Sequence, residues 1–510
     1  MKRLMLFIES ASSQINVFSQ FTLPRLGTFI LAGLVNRRPA WTARVFVEGR
    51  ARLDLPAWIA QNGRPDVVGI STITATAKRG YELADQCRAQ GIPVIMGGPH
   101  VTFLPGEALA HAALVVRGEG EGALSALLDL WDAGYVEAPD PRYAAVPNLS
   151  WQDATGVIRH NEMAPWIQDL DTLPAPDFSL AGGTADCVIG GKKTVMVQTS
   201  RGCPFDCSFC SVTGMFGKQF RHRSIASVLQ ELRRYNSRDH FVFFCDDNFT
   251  ANKRRARALV EAMLGEALRF RWSTQVRADL ARDPALVKLM RRAGCHTVFI
   301  GFESVNPQSL REMRKNQNLE DIHSAIRVIQ EAGIHIHGMF VFGFDGDDWD
   351  TAEATVRFVR EARLTSVQLL ILTPFPGSAL YQRLDNERRI TSSDWELYDA
   401  QHVVYQPARF TPFELQCAQV YGHTRLYALP ESLRKLATGR FVSAGLSLYA
   451  WRINRDWQRT NQPYLHELAA RCSHPGSERA LTSHPVSPSR IRWTDASRRP
   501  ASALLAPPAL

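Results

Sequence analysis

Residues 203–210 read CPFDCSFC and contain three cysteines, Cys203, Cys207 and Cys210, in a C-x3-C-x2-C spacing. Cysteine thiolates are the usual ligands of iron–sulfur clusters, so a loop with three of them is suited to hold one. A cubane [4Fe–4S] cluster has one iron more than this loop has cysteines. Its remaining iron would therefore stay open to a small molecule.

Two other uses of cysteine fit this sequence less well. Closed zinc sites need four ligands, usually arranged as two close pairs, and no second pair lies near residues 203–210. A disulfide framework is also disfavoured, because 9 cysteines in 510 residues are sparse and odd in number. The sequence therefore favours a cluster over zinc or disulfides.

The spacing resembles the signature of the radical S-adenosylmethionine superfamily, including an aromatic residue, Phe209, directly before the last cysteine. In that superfamily the open iron chelates the amino and carboxylate groups of S-adenosylmethionine, and one electron then releases a 5′-deoxyadenosyl radical. The resemblance implies a [4Fe–4S] cluster on Cys203, Cys207 and Cys210. It also implies a partner that donates electrons, such as a flavodoxin or ferredoxin.

The composition of the whole chain is that of an ordinary globular protein, with 45% hydrophobic and 21% charged residues, and 510 residues predict two to four domains. No apolar run reaches the roughly 18 to 20 residues that a membrane helix needs. The apolar stretch after Met1 is too short for a signal peptide. We expect a cytoplasmic protein, because thiols stay reduced in the cytoplasm.

The net charge of +9 is concentrated near the C-terminus. Residues 431–510 hold 12 Lys and Arg against 5 Asp and Glu, a surplus of 7 that leaves 2 for the rest of the chain. Basic tails can touch anionic lipid or nucleic acid, although most are simply solvated. We therefore expect no specific nucleic-acid partner, and weak contact of the tail with a membrane surface stays open.

Residues 1–140 alternate between short apolar runs and helical patterns, as a parallel sheet with crossover helices does. Strands are predicted at Leu4 to Ile8, Ala43 to Val47, Asp66 to Ile70, Pro93 to Met96 and Leu114 to Val116. Five such strands predict a doubly wound, flavodoxin-like (Rossmann-type) α/β domain. Ligands of this fold bind at the carboxyl ends of the strands.

Small and glycine-rich residues follow the third, fourth and fifth predicted strands. Together with the cysteine loop downstream, they resemble the cobalamin-binding domain of cobalamin-dependent radical enzymes, and the resemblance spans most of residues 1–450. It assigns cobalamin contacts to Ser71, Thr72, Gly97, Gly98, His100, Gly118, Glu119 and Gly120.

This resemblance has one departure. Other cobalamin proteins supply a histidine to cobalt from an Asp-x-His-x-x-Gly signature, which is absent here, and no histidine precedes His100. Cobalt would then lack a lower ligand from that motif. His100 follows Gly97-Gly98-Pro99, so we expect a loop contact to the corrin or its tail.

The rest of the chain divides into four parts. Residues 141–190 are rich in proline, which disfavours helix and strand pairing alike, and are predicted to be a connector. Residues 191–400 show six strand–helix units, which predict a partial (β/α)6 TIM barrel of the radical S-adenosylmethionine type. Its strands are expected at Thr194 to Gln198, Phe241 to Phe244, Arg271 to Gln275, Thr297 to Ile300, Ile334 to Phe342 and Ser366 to Ile371. Residues 401–470 read as a helical C-terminal region, and residues 471–510 as a disordered basic tail.

Four residues at the ends of these strands are assigned to S-adenosylmethionine by the resemblance. Phe209 is expected against the adenine, Glu303 at the ribose or ammonium group, and Asp247 and Arg277 near the methionine or ribose. Asp after a strand also commonly caps the next helix, and this alternative stays open for Asp247. No catalytic residue is assigned beyond the cluster and the cofactor site.

Other chemically capable residues have plainer interpretations. His335 and His337 alternate with isoleucines, so both point to one face of a strand, where inward polar lining of the barrel is favoured over a metal pair. Cys245 and Cys295 stand apart from the triplet and are more often small core residues. Cys245 lies near a strand end, so a role facing substrate remains open.

The sequence therefore predicts a radical S-adenosylmethionine enzyme with cobalamin, a C-methyltransferase that methylates an unactivated carbon of a small-molecule or lipid-like substrate. An alternative is a cobalamin-dependent cyclase or oxidation enzyme without net methyl transfer, like the Mg-porphyrin cyclases. A methylthiotransferase is disfavoured, because only Cys87 and Cys187 precede the triplet. A non-catalytic cofactor sensor is a further alternative.

Overall fold

A computed structural model describes residues 2–12, 23–49, 51–134, 138–182, 188–189 and 191–472. Two mostly parallel sheets follow one another along the chain, and helices complete the C-terminal part. Almost all of the tail predicted from residue 471 onward lies outside the described residues. Residues 471 and 472 are described and end a helix.

The first sheet has eight strands in the order β7-β6-β5-β4-β3-β1-β2-β8. They are β1 Arg3–Glu9, β2 Trp41–Val47, β3 Val67–Ser71, β4 Val94–Gly97, β5 Leu114–Val116, β6 Leu149–Gln152, β7 Ile158–His160 and β8 Ala181–Gly182. Strands β1 to β5 are parallel, and all five predicted strands are confirmed.

Both faces of this sheet are covered, as expected for a doubly wound domain. Along β1, Met5 and Phe7 join the core on one face, while Leu6 and Ile8 join the core on the other. This alternation explains why the strand is apolar at every position from Leu4 to Ile8. The covering helices are Leu26–Asn36, Leu55–Asn62, Ala77–Ala89, Pro99–Phe103, Pro105–Ala108 and Gly120–Asp132.

The proline-rich segment 141–190 extends this sheet. Strand β6 pairs antiparallel with both β5 and β7, and β8 pairs parallel with β2. The expectation that the segment avoids strand pairing is therefore wrong for these residues. The physical reason is that no proline lies between Pro147 and Pro165, and Gly156 supplies the turn with φ +82°. The predicted domain boundaries stay predictions.

The second sheet has seven strands in the order β17-β16-β15-β14-β13-β10-β9. They are β9 Val188–Ile189, β10 Lys192–Val197, β13 His240–Phe244, β14 Arg271–Val276, β15 Cys295–Glu303, β16 His335–Phe342 and β17 Ser366–Ile371. Two short strands, β11 Ser200–Arg201 and β12 Arg221–His222, form a separate antiparallel pair. All six predicted strands are confirmed. Within the described chain β9 and β17 are the two edges, so the barrel is partial.

The two faces of this sheet differ in burial. On the outer face, Val195, Val242 and Ile336 pack against amphipathic helices in one large core. On the inner face, alternate residues such as His335 and His337 are only partly buried. The helices are Val212–Phe216, Ile225–Leu232, Lys253–Gly265, Pro284–Arg292, Pro307–Glu312, Leu319–Glu331, Trp349–Glu361 and Ala379–Asn386.

The C-terminal region is helical, as predicted, and its first helix protects the edge strand β17. Helices span Pro412–Leu426, Leu429–Ala437, Phe441–Thr460 and Gln462–Cys472. The outer backbone groups of Leu369 bond to side chains of the first of these helices: its N–H donates to His423 Nε2 and its carbonyl accepts from Gln419 Nε2, both at 3.2 Å. An edge strand covered in this way cannot pair with another chain. Among the described residues, no helix combines the length and the apolarity that crossing a membrane requires.

Candidate functional site

The three cysteines lie together on the loop that joins β11 to the helix Val212–Phe216, and each is partly buried. Burial raises the pKa of the Cys210 thiol to about 12, and repulsion from Cys207, Asp247 and Cys203 adds to the shift. Binding to iron removes the proton of a thiol. The loop therefore fits a ligand that neutralises several thiolates at once.

Nowhere in the described part of the chain do three His, Cys, Asp or Glu side chains form a group that could hold a single metal ion.

Two aspartates at the end of β13 hold the segment that enters the cysteine loop. Asp246 is fully buried and accepts hydrogen bonds from the N–H groups of Thr199, at 2.6 Å, and Ser200, at 3.0 Å. Asp247 accepts one from Gly202 at 3.1 Å. Gly202 has φ +81°, and a Cβ there would lie 2.4 Å from a backbone oxygen, so the entry to the loop needs glycine.

Asp247 does not cap the following helix. Asn252 does so, because its side chain accepts from the N–H of Arg255 at 3.0 Å. Burial raises the pKa of Asp247 to about 6. The structure places this carboxylate beside the cysteine loop, and its role toward S-adenosylmethionine stays a prediction.

Arg277 lies against the same loop. Its Nη1 is 3.7 Å from Cys207 Sγ, and its guanidinium stacks on the ring of Phe205 at 3.7 Å. It also donates a hydrogen bond to the backbone oxygen of Lys315. Arg277 therefore brings a fixed positive charge to the cysteine loop.

Glu303 ends β15 at an irregularity in its pairing with β16 and has φ +65°, an uncommon value for a residue other than glycine. Its carboxylate forms a buried ion pair with Lys315, whose Nζ also donates to the Gly301 oxygen at 2.6 Å. A Cβ at position 301 would lie 2.1 Å from Glu303 Oε1, so only glycine leaves room for the pair. Lys315 therefore fixes the position of Glu303.

Phe209, the residue predicted to lie against adenine, is partly buried beside the barrel core. Its ring meets that of Phe344 edge to face, with centroids 6.0 Å apart. Phe344 follows β16, so the aromatic pair packs the cysteine loop against the carboxyl end of β16. A contact of Phe209 with adenine stays a prediction.

The predicted cobalamin residues lie at the carboxyl ends of β3, β4 and β5. Ser71, Gly97, Gly98 and Gly118 are partly exposed there, and Gly98 has φ +103° with a Cβ position only 2.4 Å from the Thr72 oxygen. The buried hydroxyl of Thr72 has no hydrogen-bond partner in the part of the chain described. Bare backbone and an unpaired hydroxyl fit a large ligand, and Gly120 begins the helix behind it.

Two of these predicted contacts are engaged elsewhere. His100 is fully buried: its Nε2 is 3.1 Å from the Tyr81 hydroxyl, and its ring packs against Trp395. Glu119 is buried too and binds arginines of the second domain. These residues therefore hold the domains together in this structure, and corrin contacts through their side chains stay predictions.

The junction between the domains is a buried ion-pair cluster. Arg201 Nη1 donates to Glu119 at 2.9 Å and Nη2 to Glu121 at 2.6 Å, and Arg221 donates to Glu119 at 2.9 Å. Burial alone would lower the pKa of Arg201. The attraction of Glu121 and Glu119 outweighs this effect and raises the pKa overall. We call these four residues the junction cluster.

An aromatic side chain reinforces this junction. The ring of Phe103, at the end of the helix Pro99–Phe103, packs on Gly214 in the helix after the cysteine loop and on Gly377 after β17. A Cβ at Gly377 would lie 2.3 Å from that ring. The loops predicted for the two cofactors are thus parts of one packed interface.

The inner face of the barrel carries both apolar and polar side chains. Met196, Phe243, Phe299 and Met339 are partly buried there, and the rings of Phe243 and Phe299 meet at 5.6 Å. His337 lies among them, and burial lowers its pKa to about 4, so the ring is neutral at pH 7. Cys245 is also partly buried at a strand end, whereas Cys295 is a core residue.

The sequence reasoning missed four residues that shape this site: Lys315, Arg201, Arg221 and Asp246. The signal for Arg201 was available, because it lies two residues before Cys203. Lys315 and Arg221 lie in polar stretches without a motif, and only the fold brings them to Glu303 and Glu119.

Comparisons with known proteins agree with this architecture. The model of the B12 binding domain matches residues 19–128, and that of the Radical SAM superfamily matches residues 197–359. A bacteriochlorophyllide d C-12(1)-methyltransferase of Chlorobaculum tepidum is 30% identical over 68% of this chain and 71% of its own length. An anaerobic magnesium-protoporphyrin IX monomethyl ester cyclase of Rubrivivax gelatinosus is 27% identical over 71% of this chain and 66% of its own length.

A solved structure shows the same fold. The radical S-adenosylmethionine methyltransferase TsrM from Kitasatospora setae, with cobalamin and a [4Fe–4S] cluster bound, superposes with a TM-score of 0.61 and 17% identity, over 76% of this chain and 75% of that one. An uncharacterized methyltransferase of Pyrococcus horikoshii is 30% identical over 85% of this chain and 94% of its own length. The chain belongs to the cobalamin-binding radical S-adenosylmethionine enzymes.

Proposed function

We propose that this chain transfers a methyl group from S-adenosylmethionine to an unactivated carbon of an apolar small molecule. The observation that carries the proposal is that Arg201, two residues before Cys203, bonds to Glu119, on the loop predicted to bind cobalamin, and to Glu121, in the helix that follows it. A packed junction of this kind supports a reaction that uses both cofactors in one site.

When bound, the cluster supplies single electrons and an open iron, and cobalamin supplies methyl-transfer chemistry. The residues of this chain would hold and orient the reactants. Cys203, Cys207 and Cys210 would carry the cluster, with Arg277 beside them as a fixed positive charge. The buried carboxylate of Glu303, already oriented by Lys315, would accept hydrogen bonds from S-adenosylmethionine.

The reaction balances with an external reductant. A substrate R–H and two molecules of S-adenosylmethionine take up two electrons and give R–CH3, S-adenosylhomocysteine, 5′-deoxyadenosine and methionine. The C–H hydrogen leaves in 5′-deoxyadenosine, and the new carbon comes from the methyl group. We propose a flavodoxin or ferredoxin as the electron donor.

The inner face of the barrel supports an apolar substrate. Phe243, Phe299 and Met339 offer aromatic and thioether surface, and the neutral ring of His337 adds no charge. Such a lining would also keep water from a radical. We therefore propose a lipid-like or pigment-like molecule, which this aromatic and thioether surface favours over a charged one.

The test uses protein reconstituted anaerobically with iron, sulfide and cobalamin. It is incubated with trideuteriomethyl S-adenosylmethionine and an extract of lipids and pigments, and products are measured by mass spectrometry. We expect a product that carries the three deuterons, together with equal amounts of S-adenosylhomocysteine and 5′-deoxyadenosine. The triple variant with alanine at Cys203, Cys207 and Cys210 should form none of these three products. The matched variant Cys295→Ala, in the core, should still form them.

A second candidate is a cyclase or oxidation reaction, which the similarity to the magnesium-protoporphyrin cyclase favours. That reaction would give 5′-deoxyadenosine and a changed substrate without deuterium, and so would refute methyl transfer. Reconstituted protein that forms no 5′-deoxyadenosine at all would instead indicate a cofactor sensor.

A further inference from the structure

The helix Leu429–Ala437 exposes its apolar face and buries polar residues, which is the reverse of an ordinary surface helix. Leu429, Leu433 and Leu436 are 43%, 64% and 50% exposed, while Ser432 and Lys435 face the protein and are buried. Lys435 Nζ donates to the Ser447 hydroxyl at 2.6 Å. The apolar stripe of this helix therefore points away from the rest of the described chain.

The next helix, Phe441–Thr460, continues the same surface. Phe441 is 68% exposed, and Val442 and Leu448 are exposed as well. Its small polar residues point inward, and the Ser443 hydroxyl donates to the Thr365 oxygen at 2.7 Å. Of the eleven large apolar side chains that are exposed in the described residues, six lie between residues 429 and 448. We call these six, with the two helices that carry them, the apolar hairpin.

Positive charge surrounds the apolar hairpin. Residues 425–459 contain seven Lys and Arg against two Asp and Glu. Five of the seven basic residues are exposed, namely Arg425, Arg434, Arg452, Arg455 and Arg459. Of the two acidic residues, Glu431 is paired with Arg434, and Asp456 lies between Arg452 and Arg459. Apolar side chains flanked by exposed arginines are the composition of helices that lie in a membrane interface.

We propose that the apolar hairpin docks this enzyme on the surface of an anionic lipid membrane. The charge complementarity between its arginines and anionic headgroups carries the choice of occupant. The hairpin packs beside the amino end of β17, where Arg440 donates to the Leu364 oxygen at 2.9 Å, so docking leaves the cysteine loop at the far end of the strands. The inference does not depend on which reaction the site performs.

The test is cosedimentation of the full chain with vesicles of phosphatidylcholine alone or mixed with phosphatidylglycerol. We expect binding to the mixed vesicles that weakens with salt, and weak binding to the neutral ones. The double variant Leu433→Ser, Phe441→Ser should bind at least about tenfold more weakly, because it removes two exposed apolar side chains. The matched variant Val157→Ser, which removes an exposed apolar residue between β6 and β7, should bind like the wild type.

Unchanged circular dichroism would show that the double variant is folded. Vesicle binding that the double variant retains would overturn the proposal. A second result would also overturn it: the wild type binds no vesicles and forms a dimer, and the same substitutions dissociate that dimer. A second copy of the chain would then cover the apolar hairpin. Binding that requires removal of residues 473–510 would overturn it as well, since the tail would be the occupant.

Discussion

Arg201 Nη2 donates a hydrogen bond to Glu121 Oε1 at 2.6 Å, and both side chains are almost completely buried between the two domains. The contact joins the first turn of the helix Gly120–Asp132 to the chain two residues before Cys203. With the pair of Arg201 and Glu119, it couples the loop predicted to bind cobalamin to the cysteine loop.

Glu121→Gln should weaken this coupling. The variant leaves the buried charge of Arg201 only partly neutralised. Removing one partner of a fully buried pair costs about 3 to 5 kcal/mol of stability. The cost should be smaller here, because Glu119 still pairs with Arg201. We expect a lower free energy of unfolding and faster loss of iron from the reconstituted cluster. Denaturant titration and the cluster absorbance after addition of a chelator measure the two effects.

An exposed ion pair provides the control for that prediction. Arg233 and Glu266 lie 2.6 Å apart on the surface, where pairs of this kind contribute about 1 kcal/mol or less. Glu266→Gln should leave both the unfolding free energy and the iron content nearly unchanged. Equal effects of the two variants would contradict the idea that burial at the junction cluster matters.

Lys315→Met should lower the affinity for S-adenosylmethionine. Lys315 acts through Glu303, which it holds in place beside the Gly301 oxygen, and its loss leaves a buried carboxylate unpaired. We expect a higher KM for S-adenosylmethionine at a retained cluster absorbance, with partial rescue by Lys315→Arg. The exposed Lys288→Met is the matched control, and a cluster lost from Lys315→Met alone would point to a structural role instead.

Gly301→Ala should disturb the same pair from the other side. A Cβ at this position would lie 2.1 Å from Glu303 Oε1 and 2.6 Å from Lys315 Nζ, and overpacking of this kind typically costs about 1 to 3 kcal/mol. Gly265→Ala, where a Cβ meets nothing within 4 Å, is the control. Thermal unfolding of both variants should show a loss of stability only at position 301, and an equal response would refute the steric argument.

The sequence predicted the parts of this structure that depend on local pattern. Apolar runs placed β1 and β5, because a strand buried on both faces is apolar along its central residues. The spacing of the cysteines placed three thiols on one loop, because all three come from one short segment. Such features need no knowledge of what the chain meets elsewhere.

Lys315 and Glu119 could not be assigned in the same way. The partner of Glu303 lies twelve positions away, and the pair exists only because β15 is irregular at Gly301. Glu119 sits in a glycine-rich loop that suggests a ligand, yet its carboxylate binds arginines more than eighty residues away. Long-range ion pairs carry no periodicity, so the sequence cannot distinguish them from surface charges.

His423 should make the protein less stable in acid. Burial lowers its pKa to about 4, from about 6.5 in an unfolded chain, and its Nε2 must stay unprotonated to accept the hydrogen bond from Leu369. The contribution of the neutral ring is complete above pH 6.5 and is lost as the pH falls toward 4, because the unfolded chain takes up the proton first. Between pH 7 and pH 5 this amounts to roughly 2 kcal/mol. Urea titration of the apoprotein at the two pH values should show that His423→Gln removes this part of the pH dependence. The control His466→Gln, at an exposed position, should keep it. The same pH dependence in the wild type and in His423→Gln would refute the assignment.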